Sequence, residues 1–260
     1  MKRRLHIVGC APRSGTTLLA EMCRICFEVD GACDHEQSIF KRIKQPYDIF
    51  LTKHPREAMF MPPLLRVDRG FWCLFVMRDP RDVITSEHKR QPGQYYVSLR
   101  LWLDNFRIWR RVRKHPRFVT VRYEDLARDP AGVQAELMRR MPFLKARHKF
   151  SEYHRVGKFS ELSQRAMHTI RPADTASVAR WQSHLPRIKG QCQLHGDLEQ
   201  PLIAAGYERD GAWKALLAGV APDLNPSVDG DAALDWRARA KLRWKIVRRT
   251  PLYLLRRYVQ

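Results

Sequence analysis

Short apolar runs alternate along this chain with longer stretches whose apolar residues recur every three or four positions. Leu5 to Gly9 is short, apolar and closed by a glycine, which predicts a buried strand. Thr16 to Phe27 carries Leu19, Met22, Cys23 and Cys26 at helical spacing. Asp48 to Thr52, Phe71 to Met77 and Phe118 to Arg122 give three further strands. Between them, Pro80 to Arg90 and Tyr96 to Lys114 predict helices, and Trp181 to Tyr207 is mainly helical. Strands of this length alternating with helices predict an α/β fold, a parallel sheet with helical layers on both faces. No internal repeat interrupts the pattern.

The length of 260 residues suits one large domain, or one domain with an appendage. Ala218 to Asp235 holds two Pro, two Gly and four Asp and reads as a linker. The expected division is therefore a domain over 1–217, a linker over 218–235 and a tail over 236–260. Hydrophobic residues at 44% are enough for a core, which excludes global disorder. The longest apolar run, Phe71 to Met77, is too short to span a bilayer. The patch after Lys2, Arg3 and Arg4 stops at Pro12-Arg13, too early for a signal peptide. A cytoplasmic protein is the expectation. Cys23, Cys26, Cys33 and His35 could be arranged as zinc ligands, but two of them fall on the first helix and no second pair follows. Reduced structural thiols are expected instead.

Charge changes the picture. The net charge is +21, and from Trp236 to Gln260 there are nine Lys or Arg and no acid. The tail thus carries +9 and residues 1–235 carry +12. Such a field attracts phosphorylated cofactors, anionic lipid, polyanionic glycans or nucleic acid. Pro251 is expected to break a helix in the tail into two pieces. The basic residues at 237, 239, 241, 243 and 245 alternate, so they spread around a helix and leave no clean apolar stripe. Peripheral docking of this tail at the inner face of a membrane is one expectation. Packing back onto the domain, or onto a second subunit as a homodimer, is the other.

Two segments carry chemistry. Gly9-Cys10-Ala11-Pro12-Arg13-Ser14-Gly15-Thr16-Thr17 joins a strand to a helix N-terminus. Unpaired amides at residues 14 to 17, the helix dipole and a basic side chain form a recipe for holding phosphate. A nucleoside-triphosphatase loop ends Gly-Lys-Ser/Thr, whereas here Gly15 is followed by Thr16. After the third strand comes Arg78-Asp79-Pro80-Arg81-Asp82-Val83-Ile84-Thr85-Ser86. Arg78 falls at the C-terminal edge of the sheet, where α/β proteins bind ligands. Ser86 is expected two turns into the next helix, with Arg90 at i+4 on the same face. Arg81 and Asp82 are assigned to a surface ion network.

Together these segments resemble the sulfotransferase superfamily, whose donor is 3′-phosphoadenosine 5′-phosphosulfate. The resemblance continues in Leu51-Thr52-Lys53-His54-Pro55, in Val121-Arg122-Tyr123-Glu124-Asp125-Leu126, and in Ile170-Arg171-Pro172 with Arg180-Trp181. It covers roughly residues 5 to 207. It implies a P-loop NTPase-like, three-layer sulfotransferase fold, with the basic tail outside it. Arg13, Ser14, Gly15, Thr16 and Thr17 would hold the 5′-phosphosulfate, and Arg78, Ser86 and Arg90 the 3′-phosphate. Arg13, where cytosolic small-molecule enzymes have lysine, looks more like the Golgi protein-tyrosine and many bacterial members. Tyr123, Arg180 and Trp181 complete the implied nucleotide site, with Tyr123 and Trp181 flanking the adenine.

The implied reaction is transfer of a sulfuryl group to an acceptor hydroxyl on a glycan, glycolipid or peptide tyrosine. It needs a cation on the leaving group, a second anion site and a base. Arg13 is assigned to the leaving group and Lys53 to the transferring sulfuryl. Glu36 is assigned as base, with Asp34 and His54 as alternatives; strand alternation turns His54 away if Lys53 points in. No metal is demanded, because the donor carries no chelating triphosphate. The competing readings are a kinase-like P-loop enzyme, weakened by the missing Gly-Lys pair, and a basic nucleic-acid-binding protein. The latter leaves both anion motifs unused, so no specific nucleic acid is expected.

Overall fold

The computed structural model describes residues 1–88, 91–167, 170–231 and 235–258. The first half runs β1 (Arg3–Gly9), α1 (Thr16–Cys26), β2 (Gly31–Ala32), β3 (Ile49–Lys53), α2 (Met61–Val67), β4 (Phe71–Met77) and α3 (Pro80–Ile84). A hairpin, β5 (Glu87–His88) and β6 (Gln91–Tyr95), follows, then α4 (Leu99–Val112) and β7 (Phe118–Arg122). The remainder is helical: α5 (Tyr123–Arg128), α6 (Pro130–Arg140), α7 (Tyr153–Val156), α8 (Glu161–Met167), α9 (Leu185–His195), α10 (Glu199–Ala205) and α11 (Trp236–Tyr258).

The main sheet has the order β2-β3-β1-β4-β7, and all its pairs are parallel. Strand alternation sends its apolar side chains to two separate cores. Ile7, Leu74, Val76 and Val119 face α1 and α6, where Leu19, Met22 and Leu137 are buried. Val8, Phe75, Met77 and Phe118 face the opposite layer, which contains Leu64, Trp102, Phe106, Ile188 and Tyr253. The result is the expected α/β architecture, a parallel sheet between helical layers. Cys23 and Cys26 belong to the first of these cores and do not meet His35 there.

From β1 the chain moves to β3 on one side and then crosses to β4 on the other. Strand order therefore reverses at β1, and the crevice outside the C-terminal ends of β1 and β4 is where such sheets bind ligands. The side chains of Trp102 and Asn105 on α4 pin that crevice, donating to the carbonyls of Arg78 and Cys10 at 3.1 and 3.0 Å.

Two expectations are corrected. The helix over Pro80 to Arg90 stops at Ile84. The Thr85 hydroxyl donates to the Arg81 carbonyl at 2.7 Å and Ser86 N–H reaches Val83 at 3.2 Å, closing the last turn. Ser86 O then accepts from Tyr96 N–H at 2.9 Å at the base of the hairpin, so Ser86 sits beyond a helix and not two turns into one. The helical face shared by Ser86 and Arg90 therefore does not form; Arg90 itself lies outside the described residues. In the tail, α11 continues through Pro251 as one helix. Proline removes one backbone donor, and the Thr250 hydroxyl supplies a nearby one to the carbonyl of Ile246 at 2.9 Å.

Residues 218–231 contain no helix or strand and lie along the domain. Asp223 N–H donates to Pro186 O at 2.9 Å, Arg187 donates to Asn225 O at 2.6 Å, and His195 meets Asp231 at 3.1 Å. Among the described residues, no helix is long and apolar enough to cross a membrane.

Candidate functional site

The loop after β1 is strained where it must turn. Arg13 has φ 73° and Gly15 has φ 96°, both left-handed, and only glycine adopts this without cost. A Cβ on Gly15 would stand 2.4 Å from the Tyr123 ring, so tyrosine and loop backbone are in close contact. Ser14 is buried, and its hydroxyl donates to Ala11 O at 2.8 Å, closing the turn from inside. α1 then starts at Thr16 with no side chain capping it and no acid in its first turn. Its leading amides face the crevice with the helix dipole behind them.

Two clusters form around this loop. In one, Arg13 Nε donates to Ser86 Oγ at 2.8 Å, and Arg78 Nη1 donates to the Arg13 carbonyl at 2.8 Å. Arg78 Nη2 reaches Ser177 O at 2.6 Å, and its guanidinium lies 4.3 Å from the Tyr123 ring centre. Among the described residues neither arginine pairs with a carboxylate, and Arg78 Nε is buried without a partner. Burial and the neighbouring Arg78 charge push the Arg13 pKa down. Two adjacent guanidinium groups with no carboxylate in direct contact among the described residues form a receptor for an anion.

In the second cluster, Lys53 ends β3 with its side chain almost wholly buried. Its Nζ donates to Thr17 Oγ1 at 3.0 Å and stands 3.5 Å from Glu36 Oε1. Burial lowers the Lys53 pKa against the opposing pull of Glu36. Glu36 is partly open to solvent, and His35 Nε2 lies 3.9 Å from it. The His35 pKa is lowered by burial and by the Lys53 charge, which keeps the ring neutral at physiological pH.

A cleft of about 800 Å³ is lined among others by Arg13, Gly15, Thr17, Glu36, Arg78 and Tyr123. Lys53 and Ser86 are not in its lining but contact the lining residues Thr17 and Arg13. Of the alternatives for a base, His54 and Asp34 do not line it. His54 lies just past the end of β3.

Several assignments change. Arg13 is gathered with Arg78 and Ser86, not with Lys53, because its left-handed backbone aims the side chain toward the turn after α3. Trp181 does not reach the cleft. It is buried with Arg81 stacked 4.0 Å from its ring centre and Trp213 at 6.4 Å on edge. Arg180 beside it is exposed and also outside the cleft lining. Arg81 and Asp82 are buried, not on the surface. Arg81 pairs with Asp79 at 2.7 Å, and Asp82 accepts from the N–H groups of Ala179 and Trp181 at 2.8 and 3.0 Å. Tyr96 and Tyr153, for which the sequence predicts no role, line the cleft. So do His35, weighed from sequence only as a zinc ligand, and Arg171, quoted only within the resemblance. Tyr153, whose hydroxyl donates to Arg171 O at 2.7 Å, lies in a segment with no motif.

A relay under the cleft floor was likewise illegible. Glu57 accepts from Ser38 Oγ at 2.5 Å and from Ile39 N–H at 2.8 Å, and His6 Nε2 lies 3.3 Å away. His6 in turn is hydrogen-bonded to Thr52 at 2.8 Å. This buried group ties the segment after Glu36 to β1 and β3.

No family model matches the sequence, and no curated protein matches it. Among solved structures, the chain is similar to the sulfotransferase domain from the curacin biosynthetic pathway. Identity is 14%, coverage 71% of this chain and 98% of that one, and TM-score 0.46. The sulfotransferase domain of the Synechococcus PCC 7002 olefin synthase is 16% identical over 70% of this chain and 89% of that one, with TM-score 0.43. Mouse sulfotransferase SULT7A1, complexed with PAP, is 16% identical over 54% of this chain and 59% of its own, with TM-score 0.35.

Proposed function

We propose that the chain is an O-sulfotransferase that uses 3′-phosphoadenosine 5′-phosphosulfate and delivers its sulfuryl group to a hydroxyl on a glycan, glycolipid or peptide. The observation that carries this reading is the adjacent Arg13 and Arg78 guanidinium groups at one end of a strand–helix loop and, at its other end, an uncapped helix start with Lys53 donating to Thr17, beside one cleft. A donor with phosphate groups at both its 3′ and 5′ positions needs two separated anion sites. The residues fit such a nucleotide: Arg78 has a buried, unpartnered Nε, and the start of α1 lacks a cap.

In this reading Arg78, Ser86 and Arg13 hold the 3′-phosphate, with Tyr123 under the nucleotide. The amides of Gly15 to Thr17 and the Thr17 hydroxyl hold the 5′ end. The bound donor supplies an activated sulfuryl group and a phosphate leaving group. Lys53 places a fixed cation beside the transferring group, where negative charge grows as the bond breaks. Glu36 accepts the acceptor's proton. Its contact with Lys53 holds it at the cleft wall. Neutral His35 beside it is a second proton acceptor of suitable chemistry. The donor carries no triphosphate to chelate, so the reading calls for no metal. The strong basic charge favours an anionic acceptor over a small phenol.

The test has two parts. Adenosine 3′,5′-bisphosphate should raise the thermal midpoint well beyond ATP with magnesium, since a ligand bound only by the native state stabilises it. Incubation with sulfur-labelled donor and fractionated cell material should then move label into polysaccharide, lipid or peptide. Equal stabilisation by both nucleotides, together with no transfer, would overturn the reading.

A further inference from the structure

α11 has three different faces. The inward one is latched to the domain. Tyr253 is buried, and its hydroxyl donates to Asp68 at 2.5 Å. Arg257 Nε meets the same carboxylate at 2.6 Å, and the Tyr258 hydroxyl reaches its other oxygen at 2.6 Å. Arg257 also donates to Lys2 O and to the Tyr47 hydroxyl, both at 2.8 Å.

The outward face is apolar. Positions 236, 240, 244, 247, 251 and 255 are Trp, Ala, Trp, Val, Pro and Leu, spaced by four, four, three, four and four residues. That spacing keeps them on one stripe of a helix. The absence of a clean apolar stripe, expected from the alternating basic residues, is thereby corrected. The bases do spread, but the apolar positions stay in line. Trp236 is 73% exposed, Trp244 61%, Val247 70% and Leu255 56%. Large apolar side chains exposed in a continuous row mark an interaction site.

The third face is basic. A groove of about 710 Å³ runs between α11 and residues 38–41, lined by Lys41, Lys241, Lys245, Arg248, Arg249 and Arg256 and by no carboxylate. Trp244 stands at its edge.

We infer that α11 docks flat on a membrane surface rich in anionic phospholipid. The apolar stripe sinks to the boundary between headgroups and acyl chains, and the groove receives lipid phosphates. A soluble polyanion would neutralise the basic face but leave Trp236, Trp244, Val247 and Leu255 in water. A bilayer satisfies both faces at once. The latch on Asp68 holds the helix so that these faces cannot turn inward. The inference stands independently of the transfer chemistry. The segment that lines the cleft with His35 and Glu36 also lines the groove with Phe40 and Lys41.

The experiment is co-sedimentation of the full chain with vesicles of phosphatidylcholine alone and of phosphatidylcholine with phosphatidylserine. Binding should require phosphatidylserine and shift tryptophan emission to the blue. Lys241→Gln and Lys245→Gln should each weaken it about fivefold, the equivalent of ~1 kcal/mol per basic residue near an anionic surface. Trp244→Ala with Val247→Ala should abolish vesicle binding while leaving retention on heparin unchanged. All four positions are exposed, and an unchanged thermal midpoint verifies each variant's fold. The inference is overturned if the chain ignores phosphatidylserine vesicles. It is overturned equally if it binds heparin or RNA alone, or if the Trp244/Val247 variant still sediments like the parent.

Discussion

Arg13 Nε donates to the Ser86 hydroxyl at 2.8 Å, across 73 residues of sequence. The bond joins the phosphate-type loop after β1 to the turn after α3, and Arg78 completes it by donating to the Arg13 carbonyl. Three groups assigned to different ends of a nucleotide thus form one unit. Among the described residues Arg13 pairs with no carboxylate, so an incoming phosphate exchanges a contact with a neutral hydroxyl for one with an anion.

Arg78 and Ser86 should both contribute to nucleotide binding. Arg78→Ala removes a charge-assisted contact of ~1.5–3 kcal/mol and should weaken adenosine 3′,5′-bisphosphate by roughly tenfold to a hundredfold in calorimetry. Ser86→Ala removes a hydroxyl donor to the same anion, a charge-assisted contact of the same ~1.5–3 kcal/mol class, and should likewise cost roughly tenfold or more. Arg78→Lys should not restore affinity, because one ammonium cannot span the carbonyls of Arg13 and Ser177. Unchanged affinity in Arg78→Ala would remove the 3′-phosphate site.

Lys53 predicts an alkaline limb. Burial lowers its pKa from the usual 10.5, so the cation is lost at a lower pH than an exposed lysine would lose it. Turnover should fall as pH rises through that lowered value. Lys53→Ala should abolish most turnover at every pH while leaving bisphosphate affinity near that of the parent. A pH–rate profile flat to pH 10.5 would count against a catalytic ammonium here.

Glu36→Gln is nearly isosteric and removes the proton acceptor, so turnover should fall ~100-fold or more with donor binding intact. Retained activity in Glu36→Gln, lost on adding His35→Ala, would transfer the role to His35. Activity in the double variant would exclude both.

The buried relay predicts acid sensitivity. Burial alone would raise the Glu57 carboxyl, but the His6, Ile39 and Ser38 contacts hold it well below 4.5. Its folded pKa is depressed, so the stability it contributes is complete above about pH 4.5 and lost as pH falls below. His6, lowered from 6.5 by burial, works in the same direction, since the unfolded chain binds its proton first. Thermal midpoints should therefore fall from about pH 6.5 downward, and Glu57→Gln should flatten the acid part of that curve. A parallel curve in the variant would show that the relay does not set acid stability.

Much of the molecule was legible in residue order. The four main strands, the start of α1 at Thr16 and the placement of Arg13 and Arg78 at strand ends follow from short apolar runs closed by glycine or by a charged turn. These are signals carried within four or five residues. The position of Lys53 at the end of β3 also followed from the apolar run before it. The end of α3 did not, because Ser86 is claimed by a hairpin whose partner strand begins at Gln91. Trp181 looked available for stacking until Arg81, a hundred residues earlier, covered its face. The apolar stripe of α11 was present in the order of residues yet hidden among alternating bases. Which side of that helix turns inward was decided by Asp68, 185 residues before Tyr253. Spacing along a chain says which residues share a face. Which face is buried, and which charge is answered, depends on contacts between segments far apart in sequence.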